Sequence, residues 1–134
     1  MANWSSSNHN NADEYVGSCF PYVTGSVSLA DGVGQGFEFP YVTRWIQVFN
    51  NGDTNGVRVG FTENGVEENP SDTAHYFVVP PNTASAMLEV KCGFVWLAGD
   101  GGATTASLVA GYTNIPIRNF VADLTGSAGF SGIG

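Results

Sequence analysis

Between Phe39 and Val66 the chain reads F-P-Y-V-T-R-W-I-Q-V-F-N-N-G-D-T-N-G-V-R-V-G-F-T-E-N-G-V, two β-rich runs on either side of a turn of Asn, Gly, Asp and Thr. In the second run Val57, Val59 and Phe61 alternate with Arg58, Gly60 and Thr62. Only an extended strand, whose successive side chains point to opposite faces, turns that alternation into one apolar surface. Two such runs around an Asn-Gly turn predict a hairpin. The remaining sequence keeps to the same pattern and offers neither a helix nor a catalytic cluster.

The pattern predicts strands over 15–24, 26–29, 36–39, 41–50, 57–62, 74–79, 87–97 and 104–112, with a short one near 115–117. F-P-Y-V-T occurs at Phe20 and again at Phe39, but the flanking residues differ, so it is no repeat. Pro21 and Pro40 lack a backbone donor and belong at a strand start, bulge or edge. Leu88, Val90, Cys92, Phe94 and Trp96 fall in one phase, which predicts a core stripe. In 41–50, Val42, Ile46 and Val48 share a face with Arg44, and Tyr41, Trp45 and Phe49 share the other. One face must be core, and the other is expected to meet a second protein.

About eight strands without a crossover helix imply an all-β, two-sheet antiparallel sandwich. A jelly roll is the natural wiring for eight strands, with an immunoglobulin-type topology left open. Residues 14–118 are expected to form this domain. Residues 1–13 read as a flexible polar arm, and 119–134 as a glycine-rich tail with Leu124, Phe130 and Ile133 as apolar anchors.

A chain of 134 residues with 43% hydrophobic residues can bury one core without metal or disulfides. Charged residues make up 12%, about half the usual share. Such a neutral polar surface suits a protein packed among other proteins. The net charge is −8, with only Arg44, Arg58, Lys91 and Arg118 as cations. Four scattered cations cannot line a phosphate groove, so nucleic acid is excluded as a partner, and anionic membranes are disfavoured. The N-terminal segment M-A-N-W-S-S-S-N-H-N-N has no signal-peptide pattern, and no run reaches the length of a membrane helix. Synthesis in a host cytoplasm is therefore expected, with release by lysis or in particles. In that compartment Cys19 and Cys92 are expected to be free thiols, a disulfide after release remaining an alternative.

The residues that usually carry chemistry stand alone. His9 lies in the polar arm, and His75 follows Asp72 without a further partner in sequence. Glu63, Glu67, Glu68 and Asp72 lie in an acidic stretch whose spacing fits no calcium loop, and it reads as a solvated surface loop. Glu38, Glu63 and Glu89 could supply a glycosidase carboxylate pair, but no spacing selects them. G-V-G-Q-G at 32–36 lacks the Lys-Ser/Thr of a P-loop and reads as a turn. No catalytic, metal or cofactor residue is assigned, and no enzyme activity is expected.

Taken in order from Phe37 to Pro116, F-E-F-P-Y-V-T-R-W-I-Q-V-F-N-N-G, V-R-V-G-F-T-E-N-G-V, H-Y-F-V-V-P, L-E-V-K-C and V-A-G-Y-T-N-I-P resemble small β-sandwich structural proteins of double-stranded DNA virus particles. These are the minor capsid, cement or decoration proteins of tailed phages and large icosahedral viruses. The resemblance implies a module on the virion surface that contacts the major capsid protein and itself, commonly as a trimer at a local threefold. Candidate interface residues are Trp4, Tyr41, Trp45, Phe49 and Phe130. The alternative is a carbohydrate- or receptor-binding module at a fibre or spike tip, with Trp4, Trp45 or Tyr112 as a sugar platform.

Overall fold

The computed structural model describes residues 20–67 and 75–119. Among them, seven strands form two antiparallel sheets. They are β1 (Pro21–Leu29), β2 (Gln35–Glu38), β3 (Tyr41–Asn50), β4 (Gly56–Gly60), β5 (Phe77–Val79), β6 (Phe94–Asp100) and β7 (Thr104–Pro116). One sheet has the order β1-β7-β3 and the other β2-β6-β4-β5. A short helix, α1 (Glu63–Glu67), and a 3₁₀ turn at Ile117–Asn119 complete the described elements.

An extended segment between β5 and β6 behaves as an eighth, irregular strand. Ile46 and Leu88 exchange backbone hydrogen bonds at 2.9 and 2.8 Å, and Ser85 N donates to Val48 O at 2.7 Å. The segment thus closes the open edge of β3. With it counted as a strand, the chain order is 1-8-3-6 in one sheet and 2-7-4-5 in the other. That is the wiring of a jelly roll, in which successive strands alternate between the two sheets at both ends.

Val42, Ile46, Val48, Val57, Val59, Val95, Leu97, Leu108 and Ala110 are fully buried. Each strand contributes alternate residues to the space between the sheets, as pleat geometry requires. At one margin of the core the rings of Tyr22, Phe39 and Tyr112 meet with centroids 5.1–6.0 Å apart.

The expected stripe from Leu88 to Trp96 is corrected. Cys92 is buried, yet Phe94 and Trp96 are only half-buried, and Val95 and Leu97 take the core positions instead. The reason is a change of sheet. At Gly93 the chain leaves the β3 edge, bends, and enters the opposite sheet as β6. A Cβ at Gly93 would meet the end of the Ile117 side chain, so the bare glycine lets that side chain close over the crossing. The parity counted through the crossing is reset there.

Trp96 lies on the outer face of the second sheet, over the bare backbone of Gly34 and Gly36. A Cβ on Gly36 would come within 2.9 Å of the indole. Val66 of α1 packs in the same place, buried completely. The acidic stretch expected as a solvated loop therefore begins as a helix. Thr62 initiates it, its hydroxyl accepting from Gly65 N at 3.0 Å, and Glu67 Oε2 accepts from Gly34 N at 2.8 Å. Glu68 and Asp72 lie outside the described residues.

The hairpin expected of the 41–50 and 57–62 runs does not form, because β3 pairs with β7 in one sheet and β4 with β5 and β6 in the other. The 57–62 strand ends at Gly60, and other boundaries shift as well. Residues 15–19 lie outside the described residues; the rest of the strands expected over 15–24 and 26–29 is one strand, β1, interrupted by a bulge between Thr24 and Val27, where Ser26 has a φ of 52°. Residues 115–117 do not form a separate strand, because β7 runs on to Pro116. The strand expected over 74–79 is shorter and begins at Phe77.

Candidate functional site

Four turns gather at one end of the sandwich: 30–34, 51–55, 80–83 and 101–103. Backbone hydrogen bonds tie them to one another and to the strand ends, Gly32 N to Gly99 O and Asn82 N to Gly52 O, both at 2.9 Å. Asn55 Nδ2 donates to Ala103 O at 3.0 Å. At their centre Asn50 is 3% exposed and uses all its hydrogen-bonding capacity. Its oxygen accepts from Gly52 N at 2.9 Å and Thr104 Oγ1 at 3.1 Å. Its amide nitrogen donates to Asn55 O at 2.8 Å and Val79 O at 3.0 Å. A buried amide with four partners acts as a rigid tie, since losing any one would strand a desolvated group.

Two clefts open beside this tie. One, of about 410 Å³, is lined by Phe49, Asn50, Asn51, Asn82, Thr83 and Ala84. The other, of about 360 Å³, lies across the 51–55 turn and is lined by Ser28, Asp53, Thr54, Asn55, Thr104 and neighbouring backbone. The first combines an aromatic ring with neutral amides and a hydroxyl. The second has no aromatic residue and carries the Asp53 carboxylate.

The expected interface residues are divided by the fold. Trp45 pairs with Gly111 and Phe49 with Ser107, which places both side chains on the outer face of the first sheet, half-buried. Tyr41 does not join them. Register shifts between Tyr41 and Thr43 and between Thr43 and Trp45 break the alternation. Tyr41 packs against the core, its ring 6.0 Å from that of Tyr112. The same irregularity takes Arg44 out of phase with Ile46 and Val48, and its guanidinium meets Glu89 at 3.4 Å. Trp4 and Phe130 lie outside the described residues, as does Cys19. Of the residues considered as sugar platforms, Tyr112 is 5% exposed and cannot present its ring to a ligand.

A polar cluster on the second sheet had no signature in the sequence. Arg58 Nε donates to Asp100 Oδ1 at 3.0 Å, and Arg58 Nη1 donates to Val66 O at 3.2 Å. The guanidinium carbon stands 4.6 Å from the centre of the Tyr76 ring. With a side chain only 13% exposed, Arg58 fastens β4, β6 and α1 together. Neither of the two clefts is lined by Arg58, Tyr76 or Asp100.

Burial pushes the Cys92 thiol up to about 11, partly offset by Thr43 Oγ1 at 3.2 Å. A thiol held protonated and enclosed is a poor nucleophile. Among the described residues no three His, Cys, Asp or Glu side chains are grouped closely enough to hold a metal ion. The surfaces with apolar or cleft-forming character among the described residues are the outer face of the first sheet and the turn end. Comparison of the sequence with protein-family models and with curated proteins finds no match.

Proposed function

We propose that this chain is a viral structural protein that decorates or cements a capsid lattice, acting by shape and hydrophobic contact rather than by catalysis. The observation that carries the reading is the apolar surface on the outside of the first sheet. Val23 is 69% exposed beside half-buried Val109, on the face that also holds Trp45 and Phe49. Phe20, just before β1, is 49% exposed. Exposed apolar area of this kind marks contact surfaces on soluble proteins. The low charge content supports the same reading, because few ions need to be stripped of water on packing. The jelly roll hosts capsid and lectin domains alike, so the fold adds only an analogy.

In this proposal the chain is made in a host cytoplasm and resides on the virion surface. It forms a homotrimer, the closed symmetry that suits a lattice threefold, and docks on the major capsid protein. Trp4 and Phe130 would anchor the terminal segments to neighbours. Multi-angle light scattering should give three times the chain mass, and the protein should cosediment with capsids in stoichiometric amounts. Val23→Asp combined with Val109→Asp should weaken both. A monomer at working concentration with no cosedimentation would sink the proposal.

A further inference from the structure

The turn end of the sandwich carries a binding feature that lattice docking does not require. Phe49 sits half-buried at the end of β3, on the outer face of the first sheet, and lines the cleft of about 410 Å³. Asn51, Asn82 and Thr83 are exposed and stand around it. Asn51 Nδ2 is held by Ser107 Oγ at 2.7 Å, which orients its carbonyl oxygen as an acceptor. Thr83 Oγ1 donates to Pro81 O at 3.0 Å and keeps its lone pairs for an incoming donor. The Asn82 side chain makes no hydrogen bond among the described residues, and its backbone is fixed at a φ of 56° by the bond from its N–H to Gly52 O. Asn51 and Thr83 are thus braced by hydrogen bonds of their own, and the Asn82 side chain is carried on a backbone fixed by one. No charged side chain lines this cleft.

We propose that this cleft binds one neutral hexose unit of a saccharide. A pyranose ring has an apolar C–H face and a rim of hydroxyls. The face of an aromatic ring is its electron-rich surface and attracts polarised C–H groups, so Phe49 suits the first. Neutral amides and a hydroxyl, each able to pair with an alcohol, suit the second. The volume falls within the ordinary range for small-ligand clefts. Charge narrows the class further. With a net charge of −8 on the chain and no cation in the cleft, an anionic sugar would be repelled and would find no counter-charge. The neighbouring cleft has Asp53 and no aromatic ring, so it serves as the internal control.

The full chain, labelled with ¹⁵N, should be titrated with maltose, cellobiose, lactose and 3′-sialyllactose. At least one neutral disaccharide should shift the amide signals of Phe49, Asn51, Asn82 and Thr83 with a millimolar Kd, the range expected of a single open cleft. Asn82→Gly keeps the backbone compatible with positive φ, so the fold should survive. It should weaken that binding at least about tenfold, the scale of lost hydrogen bonds to a ligand. Asp53→Asn should leave it unchanged. Absence of shifts at these residues with every neutral sugar would overturn the proposal. Equal affinity for 3′-sialyllactose and lactose would overturn it too, as would unaltered binding in Asn82→Gly. Capsid cosedimentation of Asn82→Gly reports on lattice docking separately, so the two readings can fail independently.

Discussion

Asn50 and Thr104, fifty-four positions apart, meet at 3.1 Å in the interior, the Thr104 hydroxyl donating to the Asn50 side-chain oxygen. This contact joins the end of β3 to the start of β7 and holds the turn end as one body. Asn50→Ala would strand Gly52 N, Thr104 Oγ1, Val79 O and Asn55 O together. The expected cost is about 3–5 kcal/mol, because several buried polar groups lose their partner at once. Urea unfolding monitored by circular dichroism measures it; a loss below about 1 kcal/mol would mean that the turns are held by other contacts.

The switch of sheets at Gly93 makes neighbouring residues respond differently. Leu97 is fully buried, and Leu97→Ala should cost about 3–5 kcal/mol. Phe94, half-buried on the outer face, should cost about 1–2 kcal/mol on truncation to Ala, in proportion to the smaller area it removes from water. The reversed order of the two variants in denaturant midpoints would restore the unbroken stripe.

Tyr112 is buried with a hydroxyl that has no hydrogen-bond partner among the described residues. Desolvation, with a smaller contribution from Tyr22, pushes its ionisation up to about 12. Tyr112→Phe removes the unsatisfied group and keeps the ring contacts with Tyr22, Phe39 and Tyr41. Stability should stay level or rise by about 0.5–1 kcal/mol, and a higher melting temperature in calorimetry would show it. A clear loss would reveal that the hydroxyl is bonded in solution.

Cys92 gives the fold a sensitivity to alkaline pH. Its folded value of about 11 exceeds the ordinary thiol value of 9.0, since burial disfavours the thiolate. Unfolding therefore releases a proton above pH 9. The stabilising contribution is complete below that point and disappears as pH rises through about 11. The full loss amounts to about 2–3 kcal/mol. Cys92→Ala should flatten this part of the pH–stability curve. Peptide mapping after iodoacetamide treatment at pH 8 should find Cys92 unmodified in the native protein and labelled in urea.

How much of this molecule was legible in advance depends on how local each feature is. The β character, the limits of β3 at Tyr41 and Asn50, and the inward sets Val57 with Val59 and Ala106 with Leu108 follow from pleat parity. Parity is carried by adjacent residues and needs no partner to be read. The two-sheet architecture follows from it in turn, because seven or more half-apolar strands have to bury those faces against one another.

Other features arise only when distant segments meet. The bulges around Thr43 turn Tyr41 inward while Trp45 stays outward, and they come from pairing with β7, about seventy residues away. The crossing at Gly93 splits one apolar stripe between two sheets. Phe49, Asn51, Asn82 and Thr83 border one cleft because backbone bonds across the sheet end draw the 51–55 and 80–83 turns together. No periodicity announces such a meeting. Local alternation determined which faces are apolar; pairing and closure of the sheets, which depend on contacts across the whole chain, decided what those faces touch.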